Sequence, residues 1–134
     1  MHWRPDADEV MLLVLMIVKS VEDERGRRLY RFRLSTSSLR KLSFRAHLRE
    51  AFLGDLFDAA SERNWTFSIC DDHLAFQHRS KIETWPKFST RRVGELLREL
   101  RALSREKAES RFRDIELEIG DLDSRDDEGS EDGD

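Results

Sequence analysis

The chain has 134 residues, 38% of them hydrophobic and 39% charged, with a formal net charge of −4. That length suits one domain-sized core and leaves little room for a second. The charge is segregated. From Asp114 to the end there are eleven acids and one base, Arg125, so the preceding body carries a net +6 and the acidic total does not exclude binding to nucleic acid.

Cys70 is the single cysteine, which rules out an internal disulfide and, with no leader-like start, predicts a cytoplasmic setting. Val10–Val18 is an unbroken apolar run of nine residues. A membrane span needs about 20, so the run predicts a buried helix and no membrane association.

In chain order, Asp6 or Asp8 is placed to cap a helix over about 8–23, with Glu9 in its first turn. Because its middle is apolar on every side, it predicts either a core helix or a dimer surface. A charged turn around Gly26 follows. Tyr30, Phe32 and Leu34 then alternate with Arg31 and Arg33, the period of a strand with one buried face. Ser35, Thr36, Ser37 and Ser38 mark the start of a short helix to Leu42. After a turn at Ser43-Phe44, Leu48, Phe52 and Leu56 predict an amphipathic helix over 45–64, stopped by Asn64 in a left-handed conformation. Trp65, Phe67 and Ile69 alternate with polar residues, Asp71-Asp72 fits a hairpin tip, and Leu74 and Phe76 continue the period on the return strand. Ile82–Trp85 is a candidate extension before Pro86. Ser89 or Thr90 opens a last helix with Val93, Leu96, Leu100 and Leu103 in a stripe. Ile115, Leu117 and Ile119 then alternate with Glu116 and Glu118 as a short strand. Residues 120–134 are acidic, nearly devoid of apolar side chains, and expected to be disordered. The expected organisation is one α+β domain over 1–119 and an acidic tail.

The order helix, strand, helix, helix, strand, strand, helix, with the serine-rich start of the short helix, resembles the winged helix-turn-helix superfamily over roughly residues 8–103. The resemblance implies a winged helix-turn-helix-like domain with extra N- and C-terminal helices, and a non-enzymatic partner of double-stranded DNA. In that superfamily the second helix of the pair enters the major groove. Carried onto this chain, it points to Arg45, His47 and Arg49 at the base edges, with a bidentate fork from Arg45 or Arg49 to guanine. Ser37, Ser38, Arg40 and Lys41 would hold phosphates, and Arg79 and Lys81 would contribute from the wing. The same helix carries Glu50, Asp55, Asp58 and Glu62, and the wing tip is Asp71-Asp72. The alternative is therefore a protein-interaction module or an inhibitor of a nucleic-acid-handling complex. Its contact would be exposed members of Val10–Val18, the Val93–Leu103 stripe shared between two copies as a homodimer, or the acidic tail acting as a mimic of DNA.

Catalytic and cofactor chemistry finds no support. His2, His47, His73 and His78 lack paired ligand spacing for a metal. Cys70 sits beside two carboxylates that disfavour a thiolate. The six glycines form no phosphate loop, and Asp55 and Asp58 read as a solvated helix face.

Overall fold

The computed structural model describes the backbone of residues 3–123 and the side chains of residues 3–120. The described residues form two compact units, 3–85 and 86–123.

In the first unit the order is α1 (Ala7–Arg25), β1 (Arg31–Ser35), α2 (Thr36–Ser43), α3 (Glu50–Glu62), β2 (Trp65–Cys70), β3 (His73–His78) and the single turn α4 (Arg79–Ile82). The strands form an antiparallel sheet in the order β1-β3-β2. This α+β arrangement is compatible with a winged-helix-like fold bearing extra helices.

Local chemistry explains the boundaries. Asp6 caps α1: its carboxylate accepts from the Glu9 N–H at 2.8 Å, while the Glu9 carboxylate accepts from the Asp6 N–H at 3.0 Å. Gly26, at φ 72°, ends the helix in the left-handed region. The Glu22 carboxylate then accepts from the Leu29 N–H at 2.8 Å and draws the chain into β1. Ser35 caps α2 through Ser38 N–H. Asn64 takes φ 70° after α3, as expected of an Asn stop, and Asp71 takes φ 54° at the hairpin tip.

The core lies between one face of the sheet and α1, α2 and α3. Val10, Met11, Val14 and Val18 line the buried side of α1, facing Leu39, Leu56 and Ala60. From the sheet come Trp65, Phe67, Leu74 and Phe76. Phe32 stacks on Phe76 at 4.7 Å, and Phe67 lies 4.9 Å from the same ring, so one aromatic row crosses all three strands. Ile69 departs from the expected inward set: it is 54% exposed on β2, an outer strand of the sheet, while its partner Leu74 on the central strand is fully buried. Ile82–Trp85 does not extend the sheet. His78 caps α4 instead, its Nδ1 accepting from the Ser80 N–H at 3.2 Å.

The second unit contains α5 (Thr90–Arg101), capped by Ser89, and α6 (Arg105–Asp123). The terminal strand expected at Ile115–Ile119 is part of α6. Two of its three alternating residues, Ile115 and Ile119, also satisfy a helical spacing, since Ala108, Phe112, Ile115 and Ile119 recur at steps of four, three and four, and Leu117 is left exposed. Ser104 Oγ accepts from the Lys107 N–H, and an Arg105–Glu109 pair at 3.3 Å supports the first turns. Arg111 joins the two helices through Glu99 at 3.5 Å. Residues 120–123, expected at the start of the tail, are helical; the rest of that tail lies outside the described residues.

Leu74 and Ile69 are cross-strand partners with opposite burial. Leu74→Ala is expected to lower unfolding free energy by about 2–5 kcal/mol. Ile69→Ala should cost less than about 1 kcal/mol. Urea unfolding of both variants measures the contrast.

Candidate functional site

Ser37, Arg40 and Lys41 are exposed on α2, whereas Ser38 is half-buried and engaged with Ser35. Arg40 and His47 border one hollow floored by Leu48, Leu53 and Leu74. His47 and Arg49 border a second, together with Arg4, Asp6 and Asp55. The structure thus brings Arg40, His47 and Arg49 to one side of the first unit.

Arg45 does not belong to that exposed set. Phe44, at φ 58°, closes α2, and the Arg45 N–H returns to the Arg40 carbonyl at 3.0 Å. The guanidinium donates to the carbonyls of Pro5 at 2.9 Å and Ser43 at 3.0 Å, and lies 4.0 Å over the Phe52 ring. Desolvation, with repulsion from Arg4, lowers its pKa from the ordinary value. Arg45 is a strut between the N-terminal lead-in, the end of α2 and the core.

The consequence for the helix pair is a shift of register. The expected helix from Arg45 starts at Glu50, after a six-residue connection in which Leu48 turns inward. Arg45 and His47 therefore precede the helix, and Arg49 is its cap position. Within α3 the exposed charged residues are Glu50, Asp55, Asp58 and Glu62, with no base among its thirteen residues. Asp55, Asp58 and Glu62 share a hollow with Asp6 and Asp8 of the α1 start. Arg63 answers part of this charge by gripping Asp8 at 2.6 and 3.2 Å, and that hydrogen bonding holds the Asp8 carboxyl below its usual pKa.

Arg79 and Lys81 are not wing residues. The hairpin tip is Asp71-Asp72, whose backbone joins the start of α2 through the Thr36 N–H at 2.8 Å. Arg79 and Lys81 sit past the other end of β3, a strand about 17 Å long at strand rise. Lys81 lies 4.4 Å over Tyr30, and Arg79 reaches the Ser61 carbonyl at 3.4 Å. The nine candidate residues thus divide between the two ends of the sheet.

A further feature is visible only in the fold. A groove of about 340 Å³ runs between α1 and β1, floored by Val14, Ile17, Val18, Val21, Phe32 and Leu34. Arg25, Arg31 and Arg33 edge it. Beside it, Leu12 and Met16 form an i, i+4 pair on the outer face of α1, and Leu13 and Ile17 continue that surface toward the groove. The sequence signal is the excess of apolar residues in Val10–Val18 over what one buried helix face requires. Among the described residues, no group of three or more His, Cys, Asp or Glu is placed to hold a metal ion, and no helix is long and apolar enough to cross a membrane.

Arg45→Ala should lower unfolding free energy by about 1–3 kcal/mol, as expected when charged hydrogen bonds to buried carbonyls are lost. Arg49→Ala, on an exposed side chain, should stay within about 0.5 kcal/mol of the parent. Denaturant titration separates the two. His78 packs against Trp65 at 5.0 Å, and burial, with repulsion from Arg28, lowers its pKa below the ordinary 6.5. The unfolded chain then takes up this proton first, so stability falls as pH drops below about 6.5. Melting at pH 7.5 and pH 5.5 should show the loss, and His78→Asn, which keeps a capping acceptor, should diminish it.

Comparison with protein-family models, with curated proteins and with solved structures finds no match for this chain.

Proposed function

We propose that this protein is a non-enzymatic protein-interaction module whose contact surface is the outer face of α1 and the adjoining α1–β1 groove. The observation that carries this reading is apolar exposure where a lone domain would bury it or make it polar. Leu12 is 46% exposed, Met16 68% and Ile17 45%, all on one helix and continuous with an apolar groove. Clusters of this kind, rimmed by charge, suit a partner protein.

The charge of α3 favours this reading over major-groove recognition of DNA. A helix entering the groove approaches phosphates on both sides. Here its exposed charges are all carboxylates, and Arg45 is tied to backbone carbonyls. Binding of double-stranded DNA would have to use Arg40, Lys41, His47 and Arg49 without α3, with Asp71-Asp72 beside them.

Crosslinking with mass spectrometry on the full chain, in parallel with a Leu12→Asp/Met16→Asp variant, tests the reading. Both positions are exposed, so the variant should keep the parent circular dichroism. Crosslinks to protein partners should centre on α1 and disappear in the variant. Crosslinks indifferent to the two substitutions would overturn the proposal. So would tight duplex DNA binding that weakens steeply with salt and depends on Arg40 and Arg49.

A further inference from the structure

β1 is an edge strand, since the sheet order β1-β3-β2 leaves one of its sides without a strand neighbour among the described residues. The hydrogen bonds fix which residues face that side. The Tyr30 carbonyl accepts from the His78 N–H at 2.7 Å, and the Thr36 N–H donates to the Asp72 carbonyl at 2.8 Å. In an antiparallel ladder the residues that bond a given neighbour alternate. Tyr30, Phe32, Leu34 and Thr36 therefore turn their backbone toward β3, and Arg33, at the centre of β1, turns its N–H and C=O outward. The apolar groove runs along this same edge, beneath it on the α1 side.

We propose that this edge takes up an extended segment of a partner protein in which apolar residues alternate with Asp or Glu. Resting on the partner-binding reading above, the inference adds the segment's conformation and chemistry. An added strand projects every second side chain to the same face. One set enters the groove against Ile17, Val21 and Phe32. The other set stands on the outer face of the sheet, level with Arg33, and Arg25 lies at the groove rim. A guanidinium on that face selects carboxylates.

Charge also decides between occupants. A second copy pairing through β1 in antiparallel register about its centre would set Arg33 opposite Arg33, an unfavourable like-charge pair. The chain's own residues 121–134 are acidic but contain Leu122 as their one large apolar residue, a composition that suits the rim and lacks the alternating apolar set the groove calls for.

The test uses the full chain and three synthetic octapeptides: one alternating Glu with Val or Ile, one with Lys in place of Glu, and one of the first composition with its acids grouped at one end. Isothermal titration should give at least tenfold tighter binding for the alternating acidic peptide than for the other two. Arg33→Glu should reverse the preference between the Glu and Lys peptides. Amide hydrogen exchange at Arg33 should slow at least tenfold on peptide addition, a reading that a purely electrostatic contact would not give. Equal binding of the three peptides, protection confined to α2 or α5, or no binding at millimolar peptide would each overturn the proposal. A dimer in sedimentation whose formation protects Arg33 would overturn it in favour of a second copy. If crosslinks still depend on Leu12 and Met16 while the peptides fail, this inference alone falls; if crosslinks ignore those residues, the broader reading falls.

Discussion

The first unit depends on the inner face of β3. Leu74 and Phe76 are fully buried there, and β3 pairs with both other strands, so any slip in its register would turn two large apolar side chains toward water. Phe76 is also the ring on which the other strands converge, stacked with Phe32 from β1 and packed with Phe67 from β2. With β3 fixed, α1, α2 and α3 have one apolar plane to cover. Each helix meets it with a stripe: Val10, Val14 and Val18; Leu39; and Phe52, Leu56 and Ala60.

Covering that plane leaves α3 with an acidic outer side. Its start is delayed to Glu50 because the end of α2 is sealed by a left-handed Phe44 and by Arg45, whose guanidinium is used on Pro5 and Ser43 carbonyls and the Phe52 ring. A base at the head of a helix could reach a nucleic-acid groove. The same base folded under the helix holds the connection in place. The scaffold is thus compatible with a winged helix, while the electrostatics of its second helix turn the functional reading toward proteins.

Edge strands are a hazard that folds usually guard against with charge. Here Arg33 stands at the middle of β1, and the groove behind it stays apolar. A guanidinium at that position discourages pairing between identical edges, where it would meet itself, and welcomes a strand bearing carboxylates. In the proposed strand addition, one side chain would give selectivity by opposing one partner and attracting another. The outer face of α1 extends this surface, and its exposed Leu12 and Met16 have no role in the core.

The sequence by itself determined the elements whose signals are local. Ser35 and Ser89 caps, the Asn64 stop, the Asp71-Asp72 tip and the inward Leu74 and Phe76 were all legible, because each depends on a few neighbouring residues or on a period of two. Ile115–Ile119 was not, since Ile115 and Ile119 fit both periods and only the continuity of α6 from Arg105 selects the helix. Arg45 was misread for a different reason: its partners Pro5 and Phe52 are distant in sequence, so an arginine that looks available in the chain is occupied in the fold. The division of Val10–Val18 into buried and exposed residues, and the existence of the groove, were decided by tertiary structure alone. A helix apolar on every side does not reveal which face the sheet will cover, and the edge position of β1 exists only once β3 has taken the place between β1 and β2.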